Sequence, residues 1–368
     1  MIVDIHAKSK VRNCPEESKN KSFVTFGHPL LDIITSVDNQ FLERYACPIG
    51  ATMLATPEQA SLFDDIAKHV DVEFVPGGAS MNTCRVCMWL HRGLAVTCSY
   101  VGCTAEDNFG KILQKSLSSL GVEANFDTYN GCASGTCACL VVGKERTLVA
   151  NLGAALHLSL DFVKSEKITK LLSQASIVYC EGFFLNLTAN PAVALYVATY
   201  CSENDVILSY NLSAPYLCSI FKDSWAQVMP CIDVIFGNRV DFMAYASSQG
   251  WDCGDISNIA MRVAILPKHN ASRKRIVVLT HGAEPTIVAT THGITEYVTP
   301  WVPSEAIVDL NGAGDAFAGG FLAAMLVEAS IDDCVKAAQY AAMEVVKQKG
   351  CTFPSESKFD FRTMRAEE

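Results

Sequence analysis

The stretch 308–320, Val-Asp-Leu-Asn-Gly-Ala-Gly-Asp-Ala-Phe-Ala-Gly-Gly, has the residue types and spacing for group-transfer chemistry. It predicts a strand end that breaks into a glycine turn, then a small-residue helix continuing to Ala329. Gly312 and Gly314 permit a backbone path and a close approach that side chains would block. With Ala313 between them, they open a helix whose free N–H groups and positive dipole end suit a phosphoryl group. Asp315, in the first turn, is placed to accept a proton from an attacking hydroxyl. Together these features predict phosphoryl transfer. The plainer alternative is an Asp that caps its helix or offsets the dipole.

The chain is 368 residues long, enough for one large α/β domain or two average ones. Half its residues are apolar and 18% are charged, which excludes a disordered protein. A net charge of −10 argues against a nucleic-acid partner. No apolar run approaches the roughly 20 residues of a membrane helix, and the amino terminus lacks a hydrophobic signal core. The expectation is a soluble, cytoplasmic monomer with no membrane partner. Sixteen cysteines scattered through apolar segments read as reduced core residues. Cys84, Cys87 and His91 share one helix face, so a metal site is conceivable, but a single straight helix cannot surround a tetrahedral ion. The basic run 268–275 reads as a solvated loop.

The elements that position Asp315 alternate as strand, turn and helix, the spacing of α/β units. Residues 1–22 form a polar tail and 23–26 a strand. Asp32 falls just beyond it, as an acceptor for paired hydroxyls or as a turn former. A helix over 57–70 and a strand over 72–75 lead into Pro76-Gly77-Gly78-Ala79-Ser80-Met81-Asn82. There Gly78 lets the backbone approach a ligand, and Asn82 either reaches the same pocket or is a satisfied polar group at a helix start. A strand over 96–101 precedes a helix to about residue 120. Residues 136–142 and 146–152 read as a hairpin, a candidate lid, with Arg146 either a phosphate clamp or an ordinary exposed arginine. Helices over 160–173 and 191–202 flank strands over 177–180 and 206–211. Strands over 234–236 and 275–279 follow, and a last helix spans 331–347. Polar and glycine residues recur just past the strand ends, where open α/β sheets bind ligands. No linker divides the chain, so residues 23–360 read as one domain.

Five motifs then resemble the ribokinase-like (PfkB) carbohydrate kinases: Gly-Gly-Ala-Ser-Met-Asn at 77–82, Gly-Thr-Cys-Ala at 135–138, Asn-Leu-Ser-Ala-Pro-Tyr at 211–216, Phe-Gly-Asn at 236–238 and Asn-Gly-Ala-Gly-Asp at 311–315. Cys-Thr-Phe-Pro at 351–354 is similar to that family's end, so the likeness spans about residues 23–354. The 211–216 turn resembles the members that act on adenosine.

The resemblance implies a three-layer α/β fold with a central, mostly parallel sheet and a smaller α/β lid from about 30–55 and 130–152. It also implies ATP and Mg²⁺, and transfer to the 5′-hydroxyl of adenosine or a related nucleoside, giving AMP and ADP in purine salvage. By motif, Asp315 is the base, and Gly312, Ala313 and Gly314 the anion hole. The resemblance gives His28, Asp32, Gly78, Asn82, Leu148, Ala150, Phe183 and Tyr216 to the nucleoside. To ATP and its phosphates it gives Arg146, Asn238, Thr280, Gly282 and Asn311, and to the metal Asn238 and Asp241, directly or through water.

The departures are His28 where Asn is common, Ala79 and Met81 where Ser and Gln are, Asp241 in place of Glu, and Leu310 in place of Thr. They imply altered base preference and weaker nucleotide or metal binding. The rival readings are a kinase for another nucleoside or a sugar, and a nucleoside-binding protein with little or no catalysis. A dinucleotide-binding oxidoreductase does not fit, because Phe317 follows where a third glycine belongs.

Overall fold

The computed structural model describes residues 21–143, 145–185 and 192–361. Its strands, in chain order, are β1 (Lys21–Phe26), β2 (Leu30–Ser36), β3 (Thr52–Leu54), β4 (Glu73–Gly77), β5 (Val96–Thr104), β6 (Glu123–Thr128), β7 (Thr136–Val142), β8 (Glu145–Asn151), β9 (Ile177–Glu181), β10 (Ile207–Asn211), β11 (Val234–Asn238), β12 (Ile276–Thr280), β13 (Thr286–Thr290) and β14 (Gly293–Tyr297). Most of the expected polar tail lies outside the described residues. Lys21 and Ser22 do not belong to it, because they pair with Val96 and Thr97 and so begin β1.

Among the described residues, one nine-stranded sheet has the order β14-β13-β12-β11-β10-β9-β1-β5-β6. It is parallel from β6 to β12 and closes with the antiparallel strands β13 and β14. Its inner strands are buried on both faces, as a parallel sheet covered by helices requires. Val24 and Phe26 pack into one helical layer and Phe23 into the other, so the α/β/α sandwich follows from the two-residue period of β1.

A second sheet has five strands in the order β3-β8-β7-β2-β4. Ile33, Ala138, Leu140 and Val149 bury one face against Leu42, Leu62, Phe63 and Ile66 of two short helices, Asn39–Arg44 and Ala60–Ile66. The alternate residues Ile34, Cys137, Cys139, Leu148 and Ala150 leave the opposite face. Asp32 therefore does not sit in a turn beyond β1. It lies within β2, paired with Val75 and Cys137. The strand expected over 72–75 within the α/β series runs instead from Glu73 to Gly77 and also joins this small sheet.

Two further expectations change. The helix over 160–173 is broken into Leu160–Val163 and Glu166–Gln174, with Ser165 as the cap of the second. The run 268–275 is a loop exposed at His269, Ala271, Ser272 and Lys274, but three of its cations are not simply solvated. Arg275 is fully buried and donates to the carbonyls of Ile232, Val263, Leu266 and Met229, while Lys268 and Arg273 pair with buried Asp233. Cys84, Cys87 and His91 are core packing: His91 Nε2 lies 2.9 Å from Ala323 O, its ring stacks on Phe361, and Cys87 meets Cys98.

Candidate active site

Gly312 caps the helix Ala313–Leu326 in the left-handed region, with φ at 79°. A Cβ there would stand 2.6 Å from the Cβ of Cys351, so only glycine makes this turn without strain. A Cβ on Gly314 would instead meet nothing within 4 Å, because that residue faces open space. The Ala313 N–H turns back to Leu310 O at 3.3 Å, while Gly312 and Gly314 on either side of it line the cleft.

Asp315 stands one residue further on. Asn82 Nδ2 donates to Asp315 Oδ2 at 2.9 Å, and Arg85 Nη1 donates to Asn82 Oδ1 at 3.2 Å. Arg85 also holds the carbonyls of Pro76 and Cys351, so a buried guanidinium sets which way the Asn82 amide points. Its signal in the sequence is its place three residues after Asn82, on the same face of the helix Ala79–Leu90. Burial raises the Asp315 carboxyl to about 6, against the opposing Asn82 hydrogen bond.

A cleft of about 590 Å³ lies between the small sheet and the carboxyl ends of the large one. Its polar lining is His28, Asp32, Asn82, Glu181, Asn311 and Asp315, and Gly78, Gly312 and Gly314 bring backbone to it. Leu148 and Ala150 of β8, with Phe183 and Tyr216, supply walls. Leu30, Met53, Leu54, Cys137 and Leu152 complete them, unforeseen because the small sheet that carries them is assembled from distant segments. A Cβ on Gly77 would come within 2.3 Å of Asp32 Oδ1, so this glycine makes room for the carboxylate. Burial raises Asp32 to about 7, with Arg85 opposing and Asp315 adding to the rise. His28 is 2% exposed, neither ring nitrogen has a partner, and burial holds it neutral at about 4.

Glu181 is the polar group that the sequence did not single out. It ends β9, is 1% exposed and accepts from the Phe183 N–H at 3.3 Å. Burial first, and the charge of Asp315 next, raise it to about 8.

A second cavity of about 140 Å³ is lined by Asn211, Ser213, Asn238, Asp241 and Thr280. Ala79, Phe183, Gly314 and Asp315 line both spaces, so Asp315 stands at the partition between them. Asn238 and Asp241 form a reciprocal cap, each side chain accepting from the other's backbone N–H. Asp241 Oδ1 remains buried without a partner. Arg146 is not brought into either space. It lines a third cavity of about 750 Å³ and pairs with Asp309 at 2.6 Å. Gly282 follows β12 in a positive-φ turn, and neither it nor Ala313 lines these cavities.

With this geometry in view, residues 44–358 match the pfkB family carbohydrate kinase description. Adenosine kinase 2 of Arabidopsis thaliana is 36% identical over 334 residues, covering 91% of this chain and 96% of the relative. The adenosine kinase of Dictyostelium discoideum is also 36% identical, covering 93% and 99%. The crystal structure of Anopheles gambiae adenosine kinase in complex with P1,P4-di(adenosine-5) tetraphosphate superposes with a TM-score of 0.84 at 33% identity, covering 92% and 99%. Motifs, sandwich, small sheet and near-complete coverage agree: the chain belongs to the pfkB family of carbohydrate kinases.

Proposed function

We propose that this protein transfers the γ-phosphoryl group of ATP to the 5′-hydroxyl of adenosine, giving AMP and ADP, as purine salvage requires. The observation that carries the reading is Asp315, at the partition between the apolar cleft and the polar cavity behind it. A nucleoside fits the 590 Å³ cleft, within the range of roughly 300–1,000 Å³ usual for small-ligand sites. Leu148, Ala150, Phe183 and Tyr216 take the base. Asp32 and Asn82, with the Gly78 backbone, take the ribose hydroxyls, and His28 offers a neutral ring nitrogen to either part.

Asp315 then accepts the 5′-hydroxyl proton as the oxygen attacks phosphorus. The amides at Gly312 and Gly314 hold the transferred oxygens as charge spreads over them, and the Ala313 N–H joins them once it leaves Leu310 O. Asn82 keeps the carboxylate aimed at the hydroxyl. Thr280, Asn238, Asn311 and Gly282 lie toward the nucleotide, with Arg146 within reach of its phosphates once it leaves Asp309. The unpartnered Oδ1 of Asp241 suits a water-held cation, so Asp241 and Asn238 would hold Mg²⁺. When bound, Mg²⁺ neutralises phosphate charge. The small sheet acts as the lid that excludes water from the reactants. Every residue used here comes from one polypeptide, so the reaction requires no second copy.

His28 and Glu181, buried polar groups facing the cleft, favour a second reading, a kinase for another nucleoside or a free sugar. A panel of nucleosides and sugars with ATP, with and without Mg²⁺, separates the two. Mg²⁺-dependent ADP release that is fastest with adenosine supports the first, and a higher kcat/KM for a sugar replaces it with the second.

A further inference from the structure

Cys137 and Cys139 stand two residues apart on β7, so both side chains leave the same face of the small sheet. On the neighbouring parallel strand, Asp32 lies opposite Cys137. The Asp32 carboxylate and the two sulfurs all lie within 4.8 Å of one another, the single such grouping of His, Cys, Asp and Glu side chains among the described residues. Asp32 and Cys137 line the nucleoside cleft, whereas Cys139 sits behind them at 1% exposure. Neither sulfur has a part in phosphoryl transfer.

Two thiolates and one carboxylate make a soft, anionic donor set, the kind that selects thiophilic cations over Mg²⁺. Tetrahedral zinc spaces its ligand atoms about 3.3–3.8 Å apart, so the trio need draw in by about 1–1.5 Å at most. Three protein ligands leave a fourth position, and here it opens to the cleft. Arg85 and Arg146 act on Asp32 with one sign and Asp315 and Asp309 with the other, so the two cations and two carboxylates around the site balance in formal charge. Loading forms two metal–sulfur bonds and one metal–oxygen bond and releases the thiol protons to solvent.

We propose that Asp32, Cys137 and Cys139 bind a thiophilic divalent cation of the Zn²⁺ class, and that the bound cation excludes the nucleoside by capturing Asp32. The exclusion rests on the assignment of Asp32 to the ribose; the metal binding does not.

The test titrates Co²⁺ into the reduced, full-length protein and follows sulfur-to-cobalt charge-transfer absorbance, then adds Zn²⁺. The proposal expects a band in the wild type that Zn²⁺ and adenosine each remove and that is lost in Cys139→Ser. It also expects Zn²⁺ at about nine times its dissociation constant to raise the apparent nucleoside KM about tenfold in the wild type, leaving kcat unchanged. Cys139→Ser keeps turnover and resists this inhibition. Asp32→Asn, checked for cooperative unfolding, is the second variant for the cobalt readout and loses the band as well. No band in the wild type, an unchanged band in Cys139→Ser, or equal Zn²⁺ inhibition of Cys139→Ser overturns the proposal. A Cys139-dependent band in a protein that phosphorylates no nucleoside upholds the metal site and removes the catalytic reading instead.

Discussion

Arg146 Nη1 lies 2.6 Å from Asp309 Oδ2, and this contact joins β8 of the small sheet to the loop that ends at Gly312. Asp309 also accepts from the N–H groups of Asn311 at 3.0 Å and Gly350 at 2.6 Å. One nearly buried carboxylate thus ties together the small sheet, the glycine turn and the carboxyl-terminal segment.

Breaking that tie loosens the turn before it affects the nucleoside cleft. Arg146→Gln leaves Asp309 short of one charge partner and is expected to lower kcat at least about tenfold, with little change in nucleoside KM. A double-mutant cycle with Asp309→Asn should give a coupling energy of about 0.5–3 kcal/mol. Additive effects in that cycle would mean that the pair does not act as a unit.

The pH dependence follows from three buried carboxyls. The roles proposed for Asp315 and Asp32 need carboxylates, and burial raises them to about 6 and about 7. Hence kcat/KM should climb as pH rises through that window. Above about 8 Glu181 ionises and adds negative charge beside Asp315, so the rate should fall again. Glu181→Gln is expected to remove the alkaline fall and leave the acid limb in place. An alkaline fall that persists in the variant would assign it to another group.

Glu181 also bears on stability. Its carboxyl is raised in the fold from 4.5 to about 8, so the native state holds a proton that the unfolded chain has already released. That contribution is full below about 4.5 and is lost as pH rises through about 8. Replacing the group with a neutral amide should therefore raise Tm by about 2 °C or more at pH near 8, with a smaller gain near pH 5. Calorimetry at both values checks the trend, and an equal gain at both would contradict it.

Much of the large sheet was legible because strands, glycine turns and helices alternate in sequence. The placing of polar residues past strand ends puts Asn238, Thr280 and Asp315 in one region on the sequence alone. The small sheet was harder to read. β2 is buried on both sides, so Leu30–Ser36 lacks the alternation that marks a half-exposed strand, and β3 has only three residues. β14 is an edge strand with a polar sequence. Glu181 and Arg275 went unrecognised for one reason: a charged residue near a strand end is usually hydrated, and only tertiary packing buries these two.

Gly312 offers a steric check on the turn. Its φ of 79° and the 2.6 Å approach of Cys351 Cβ leave no room for a methyl group. Gly312→Ala should abolish turnover and lower Tm, whereas Gly314→Ala, where a Cβ meets nothing within 4 Å, should fold normally and lose rate. A Gly314→Ala enzyme with full kcat would remove the close approach of substrate to that amide.

Asp315→Asn removes the carboxylate that takes the hydroxyl proton while keeping its shape. Single-turnover phosphoryl transfer, measured beside equilibrium adenosine binding, should fall by about 10² or more while the affinity changes little. Transfer at the wild-type rate in that variant would contradict the account.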